Sequence, residues 1–280
     1  MSIYLDNAAT TKPCREAVKA VTDCMTENYG NPSSLHIMGL NAQLAADNVR
    51  KIIAKAIAAD PACIYFTSGA TESNNLALIG AAKAYGKRKP KIVTTSIEHA
   101  SVKKTIDHLE EKGYEIVRIS PDRNGQISHE QIVNAVDERT CLVSIMMVNN
   151  ETGYILPIRR AFYGIKKRFP QCITHTDAVQ GFMKIPFKVS ELNADIISVS
   201  GHKIHGPKGS GFLYVDEKVK IKPIVFGGGQ QSGIRSGTEN VPAIAGLAKA
   251  VEIVYGNLDA EVKKLYCLKR AFVEGVQKMD

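Results

Sequence analysis

Lysine, aspartate and histidine side chains capable of covalent and acid/base chemistry stand just after apolar runs in this sequence. Ser200-Gly201-His202-Lys203 closes and follows the run 195–200, and a lysine among small and imidazole residues there can be desolvated into an amine nucleophile. Read alone, the same string is also compatible with a solvated lysine. Asp177 follows the run 172–176; a carboxylate so near a sheet core needs a cationic or hydrogen-bonding partner, with helix capping as the alternative. His99, behind Glu98 and the run 91–96, is either a site imidazole or a structural hydrogen-bonding group. Asn149 and Asn150 follow the run 141–148, where amides orient a ligand oxygen or form an Asx turn. Ser68-Gly69-Ala70-Thr71 leads from the run 63–67 into a helix start, which is an anion cradle or an ordinary cap.

Ligands of parallel sheets bind beyond the carboxyl ends of the strands, so all five strings converge on one edge of one sheet. An anion cradle, an imidazole, an amide, a carboxylate and a lysine are together what pyridoxal 5′-phosphate (PLP) requires. The lysine forms a Schiff base, the acid pairs with the pyridinium nitrogen, and the phosphate sits at a helix N-terminus. Competing motifs fail. No Walker A string occurs, and GxGxxG would need glycine at Ser232 after Gly227 and Gly229, or at Tyr214 after Gly209 and Gly211. No pair of His or Cys has zinc spacing on a helix.

The elements that must position these residues follow from periodicity. The five runs, with 115–119 and 211–215, alternate with helical stretches at 40–58, 72–84, 101–112, 129–136 and 159–169. In 40–58 the apolar Leu44, Ala45, Val49, Ile52, Ile53 and Ala56 recur at helical spacing. After the glycine-rich 226–238 come helices at 242–255 and 261–278, the second with Val262, Leu265, Leu268, Phe272 and Val276 on one face. This rhythm predicts an α/β fold with a mostly parallel seven-stranded sheet flanked by helices.

At Ser200-Gly201-His202-Lys203 the chain resembles the cysteine desulfurases of the class V aminotransferase family, fold type I PLP enzymes. The likeness extends over YLDNAATT at 4–11, GNPSSLH at 30–36, FTSGATESNNLAL at 66–78, EHAS at 98–101, VNNETG at 148–153, DAVQ at 177–180, SGHKIHGPKGSG at 200–211 and RSGTEN at 235–240. The resemblance implies that Lys203 binds PLP covalently, that Asp177 pairs with the ring nitrogen, and that His99 stacks on the ring and shuttles protons. It places Gln180 and Asn150 at the ring 3′-oxygen, with Asn150 also near the substrate carboxylate. Ala70, Thr71, Ser200 and His202 would hold the phosphate, and Thr238 would reach the phosphate of a neighbouring subunit in a homodimer. The implied substrate is L-cysteine or a related amino acid, converted to L-alanine with sulfur passing to a cysteine persulfide. The implied partner is a sulfur-acceptor scaffold of iron–sulfur cluster assembly.

In the family a nucleophilic cysteine and a carboxylate-gripping arginine lie in a C-terminal small domain, and no cysteine here has a comparable motif. The expected division is therefore an N-terminal segment, 1–12, associated with that domain; a PLP-binding large domain, 13–255; and a helix, 256–280, leading toward a small domain beyond it. Alternatives are a catalytically incomplete paralogue or dimer partner, and a cysteine-independent selenocysteine lyase-like or transaminating activity. An apolar patch is expected near the N-terminal segment and the last helix. Helix 159–169, with bulky Phe162 and Tyr163, departs from the family pattern and leaves its packing open.

Composition sets outer limits. With 280 residues, 44% hydrophobic and 23% charged, the chain can bury a core and is neither fibrous nor a disordered tail. The net charge is +8, but basic groups such as Lys87-Arg88-Lys89 and Lys166-Lys167-Arg168 lack interleaved aromatics, so solvated faces are expected rather than a nucleic-acid surface. No apolar stretch spans a membrane and no secretory signal opens the chain, so a cytoplasmic location without membrane contact is expected. The six cysteines, without CxxC, are expected to be reduced and mostly buried, with Cys267 packed on its helix.

Overall fold

The computed structural model describes residues 3–279, so the expected segments 1–12 and 256–280 lie partly outside it, at Met1, Ser2 and Asp280. Seven strands form one sheet: β1 (Ile64–Thr67), β2 (Lys91–Thr95), β3 (Glu115–Ile119), β4 (Thr140–Ser144), β5 (Ile173–Asp177), β6 (Ile196–Ser200) and β7 (Gly211–Val215). Their order across the sheet is β1-β7-β6-β5-β4-β2-β3. Only β7 is reversed, antiparallel to both β1 and β6. The other pairings are parallel, in keeping with the predicted mostly parallel sheet.

Strands β2, β4, β5, β6 and β7 are covered on both sides and buried along their whole length, and β5 carries the polar His175 and Asp177 into that interior. Alternate residues point to opposite faces, so Phe212 and Tyr214 of β7 enter one core while Leu213 and Val215 enter the other. On the second face lie α3 (Ala70–Tyr85) and α4 (Ala100–Glu111), through Leu76, Leu78, Val102 and Ile106. On the first lie α2 (Ile37–Ile57), α5 (His129–Asn134), α6 (Ile158–Arg168) and α8 (Val241–Gly256). The T-shaped pair Phe182 and Phe212, with centroids 5.3 Å apart, fills this side. In α6, Phe162 is fully buried while Tyr163 points to solvent, so the bulky pair packs as an ordinary amphipathic face.

Two helices were not expected from periodicity: α1 (Arg15–Thr26) and the four-residue α7 (Val189–Leu192). The inner face of α1 is small rather than apolar, with Ala17 buried and a Cβ on Gly246 of α8 set to meet Val21 at 2.7 Å. Ala17, Val21 and Cys24 recur at helical spacing along that face, and their close contact with α8 holds the helix. The run 141–148 also leaves the regular strand after Ser144, although Ile145 N and Met147 N still donate to the carbonyls of His175 and Asp177. Helix α9 (Leu258–Val276) follows α8 after a 75° bend and has no buried residue. Cys267 is therefore exposed rather than packed, and Cys14 is half-buried, while Cys24, Cys63, Cys141 and Cys172 are buried. On the two segments where an apolar patch was expected, Ile3 and Leu5 of the first and Leu265, Leu268 and Phe272 of the second are exposed. No single helix among the described residues is long and apolar enough to cross a membrane; α8 and α9 together pass that test only as a bent pair.

Candidate active site

Beyond the carboxyl ends of the strands lies a cavity of ≈ 960 Å³ lined by Ala70, Thr71, His99, Asn150, Asp177, Gln180, Ser200, His202 and Lys203. The strand ends thus gather every expected site residue except Thr238, which is exposed and lines a separate, smaller cavity with Arg235 and Gln231.

The anion cradle comes from β1 running into α3. Its N-cap, Gly69, supplies no side-chain cap and has φ 144° and ψ −176°, a backbone state that L side chains rarely adopt. The amides of the first turn of α3 consequently face the cavity with the helix dipole behind them. Glu72, two residues in, would repel an anion there. Burial alone would raise its pKa, but hydrogen bonds from Arg235 Nε at 2.6 Å and Ser68 N at 2.7 Å outweigh that and hold its carboxyl below the usual range.

Lys203 sits in the turn between β6 and β7, closed at its base by Gly201 N donating to Ser210 O. Its Nζ donates to the carbonyls of Ala8 and Ala9 at 2.6 and 2.8 Å. The N-terminal segment is itself tied down, with Thr11 N and Oγ1 both donating to His202 O and Gln180 Nε2 to Ala8 O. Partial burial lowers the Lys203 pKa, opposed by the charges of Asp6 and Asp177. Behind it, Lys184 is pulled down to about 8 by burial and the Lys203 charge, and donates to Gln180 Oε1. Burial and the charges of Lys203, Lys208 and Lys184 also lower His202. Lys203 and Lys208 line the cavity as groups able to attract a phosphate or a carboxylate, among the acids Asp6, Glu72, Glu151 and Asp177.

Asp177, at the end of β5, is buried. Burial raises its pKa against hydrogen bonds from Val179 N and Asn74 and the nearby His99 and Lys203. His99 is the N-cap of α4, its Nδ1 accepting from Ser101 N. Asn150 bonds to Glu151 at the rim. Below them, Asn149 Nδ2 donates to Ile97 O while its Oδ1 accepts from Glu151 N and Thr152 N, tying the His99 loop to the segment after β4. Glu98 reinforces that tie by accepting from Thr95 Oγ1 at 2.6 Å and Met146 N at 3.0 Å.

The aminotransferase class-V family profile matches residues 3–279. This chain belongs to that family. It is 42% identical over 278 residues to a cysteine desulfurase IscS of Methanosarcina thermophila, covering 99% of this chain and 68% of the relative. With the cysteine desulfurase IscS of Dictyoglomus turgidum the identity is 41% over 276 residues, 99% of this chain and 70% of the relative. Among solved structures, a NifS-like protein superposes with a TM-score of 0.95 at 42% identity, covering 99% of this chain and 76% of the other. One described as SspA in complex with cysteine gives 0.86 at 38% identity, covering 90% and 72%. These relatives establish a fold type I architecture and a PLP-dependent family. The donor set fits the cofactor: a glycine-capped helix start for its phosphate, a buried carboxylate for its ring nitrogen and an amine for its aldehyde carbon all face one cavity.

Reasoning from the sequence did not assign Asp6, Ala8, Lys184, Glu98, Asn74 or Ser101 to the site. Asp6, Ala8, Asn74, Glu98 and Ser101 lie inside strings quoted for the resemblance, which was the available signal. Lys184 carried none, although it lies only four residues after Gln180, to which it donates.

Proposed function

We propose that the chain is the cofactor-binding part of a PLP-dependent cysteine desulfurase that releases sulfur from L-cysteine and leaves L-alanine. The observation that carries this is the meeting of Lys203, Asp177, His99 and the glycine-capped start of α3 in one cavity. The 42% identity to named cysteine desulfurases along 99% of the chain supports the choice of substrate.

When bound, PLP supplies an electron sink for bonds breaking on the substrate. The amides of Ala70 and Thr71, with Ser200 and His202, hold its phosphate, and the Lys203 amine anchors it covalently. Asp177 pairs with the ring nitrogen. Gln180 and Asn150 orient the ring oxygen, Asn150 also facing the substrate carboxylate. Lys203 would also be placed to move protons, since loss of hydration favours the neutral amine that a base requires. His99 stacks on the ring and exchanges protons on the opposite side.

The same reading makes the chain one half of a homodimer with Thr238 serving the neighbouring site, and gives it a scaffold protein as sulfur acceptor. The exposure of Thr238, on a loop pinned by the Arg235–Glu72 pair, supports the first. The division into 1–12, 13–255 and 256–280 belongs to the proposal as well. It is supported by the bend before α9 and by its exposed Leu265, Leu268 and Phe272.

The test is the visible absorption spectrum of the purified chain with PLP, beside Lys203→Ala, followed by borohydride reduction and peptide mass spectrometry. A yellow complex absent from the variant, with pyridoxyl mass fixed on Lys203, is the expected result. Mass fixed on another lysine overturns the assignment.

A further inference from the structure

Between His99 and Asp177 stand two buried polar side chains that the roles above leave unused. Asn74, one turn into α3, donates through Nδ2 to Asp177 Oδ2 at 2.7 Å and to Ser101 Oγ at 2.8 Å. These bonds use both amide hydrogens. The reversed amide would set Oδ1 against the carboxylate, so Asp177 fixes which way Asn74 points. Having accepted from Asn74, the Ser101 hydroxyl has its own hydrogen left to give, and His99 Nδ1 lies 2.8 Å away. Independently, the Ser101 backbone N–H is directed at the same Nδ1 at 3.2 Å, because His99 caps α4. Two donors converging on Nδ1 require a lone pair there. The proton of a neutral imidazole therefore sits on Nε2, across the ring from α4.

We propose that Asn74 and Ser101 are positioning residues that hold His99 in its Nε2–H tautomer and present that proton to the ligand. The relay carries the orientation of a buried carboxylate, through one amide and one hydroxyl, to an imidazole at the cavity wall. His99 then gives or exchanges its proton at Nε2, while Nδ1 serves as the helix cap. The inference depends on the assignment of this cavity made above only for the identity of the ligand that meets Nε2.

Long-range proton–nitrogen NMR of the chain labelled with ¹⁵N-histidine tests it, with and without PLP, His99 being assigned from the signals missing in His99→Gln. The expected spectrum has Nε2 protonated and Nδ1 bare. Ser101→Ala and Asn74→Ala shift His99 toward a mixture of tautomers, and Ser101→Thr, which keeps the hydroxyl, restores the parent pattern. A parent spectrum with the proton on Nδ1, or alanine variants indistinguishable from the parent, overturns the proposal. The parent spectrum decides even where a variant fails to fold. Because the tautomer is read without turnover, a failure of the relay is distinguishable from a failure of the desulfurase reading.

Discussion

Replacing Glu98 by glutamine should uncouple the stability of the fold from pH over a defined window. Glu98 is buried, and burial, against the hydrogen bonds from Thr95 and Met146 and with the Asp177 charge adding, pushes its pKa up to about 8. In an unfolded chain a glutamate titrates near ~4.3. Below both values the carboxyl is protonated in either state and contributes no pH dependence. As pH rises between them the unfolded chain ionises while the folded one keeps its proton, so stability falls by up to about 1.4 kcal/mol per unit, then levels above the folded value. Over this window the loss is about 5 kcal/mol at most, and water entering the site would reduce it. Glutamine keeps an oxygen for Thr95 and Met146 and puts an amide where Oε2 has no partner, so it copies the protonated acid without its titration. Urea unfolding of both proteins at pH 4, 7 and 9 should give the most similar stabilities at pH 4 and a Glu98→Gln advantage that grows to about pH 8 and then levels. Groups that titrate independently of Glu98 cancel in the difference. A difference that stays constant from pH 4 to 9 would refute a buried protonated Glu98.

Two further outcomes are expected. Gly69→Ala has open space, its Cβ meeting only Ser200 Oγ at 3.5 Å, but must hold φ at 144°. It should lose about 1–2 kcal/mol of stability after the smaller entropy of unfolded alanine is counted, and weaken PLP binding in titrations; unchanged values on both would show that the cradle is unstrained. A thiol reagent should modify Cys267 at once in the native protein. Cys141 and Cys172, pushed up to about 12 by burial, should react only on unfolding, and their early modification would contradict the core packing.

The sheet was legible because β4, β6 and β7 are buried along their length and read as apolar or small runs, while the more polar β5, Ile-Thr-His-Thr-Asp, shows through its β-branched residues. Helix α1 went unread although Ala17, Val21 and Cys24 share one face at helical spacing, because these residues are small and the close contact with Gly246 of α8 that buries them is set only by the fold. At the site, the strand-end rule located Lys203, Asp177 and His99 from their positions alone. What it could not reach were groups that act across the chain. Asn74 lies on a helix whose pattern shows only packing, yet the fold brings its amide onto Asp177. Glu98 adjoins His99 in sequence, and only the approach of Met146 N shows that it faces inward. Cys267 was misplaced because an amphipathic pattern indicates which residues share a face and not whether anything covers that face.

The reversed strand β7 bears on the order in which this molecule can be assembled. β1 pairs with no other strand in the sheet, and its partners, from Ile64 with Tyr214 to Thr67 with Gly211, come from the far end of the sheet-forming sequence. Closing so long a loop costs entropy before any contact repays it, whereas the neighbouring β6 and β7 meet across a short turn. Lys203 is thus presented by a local hairpin, but the turn from β1 into α3 reaches it only when the first and last strands in the sequence pair. A nascent chain would carry the cradle sequence long before Lys203 and β7 emerge to meet it, so cofactor capture reports completion of the fold rather than its beginning.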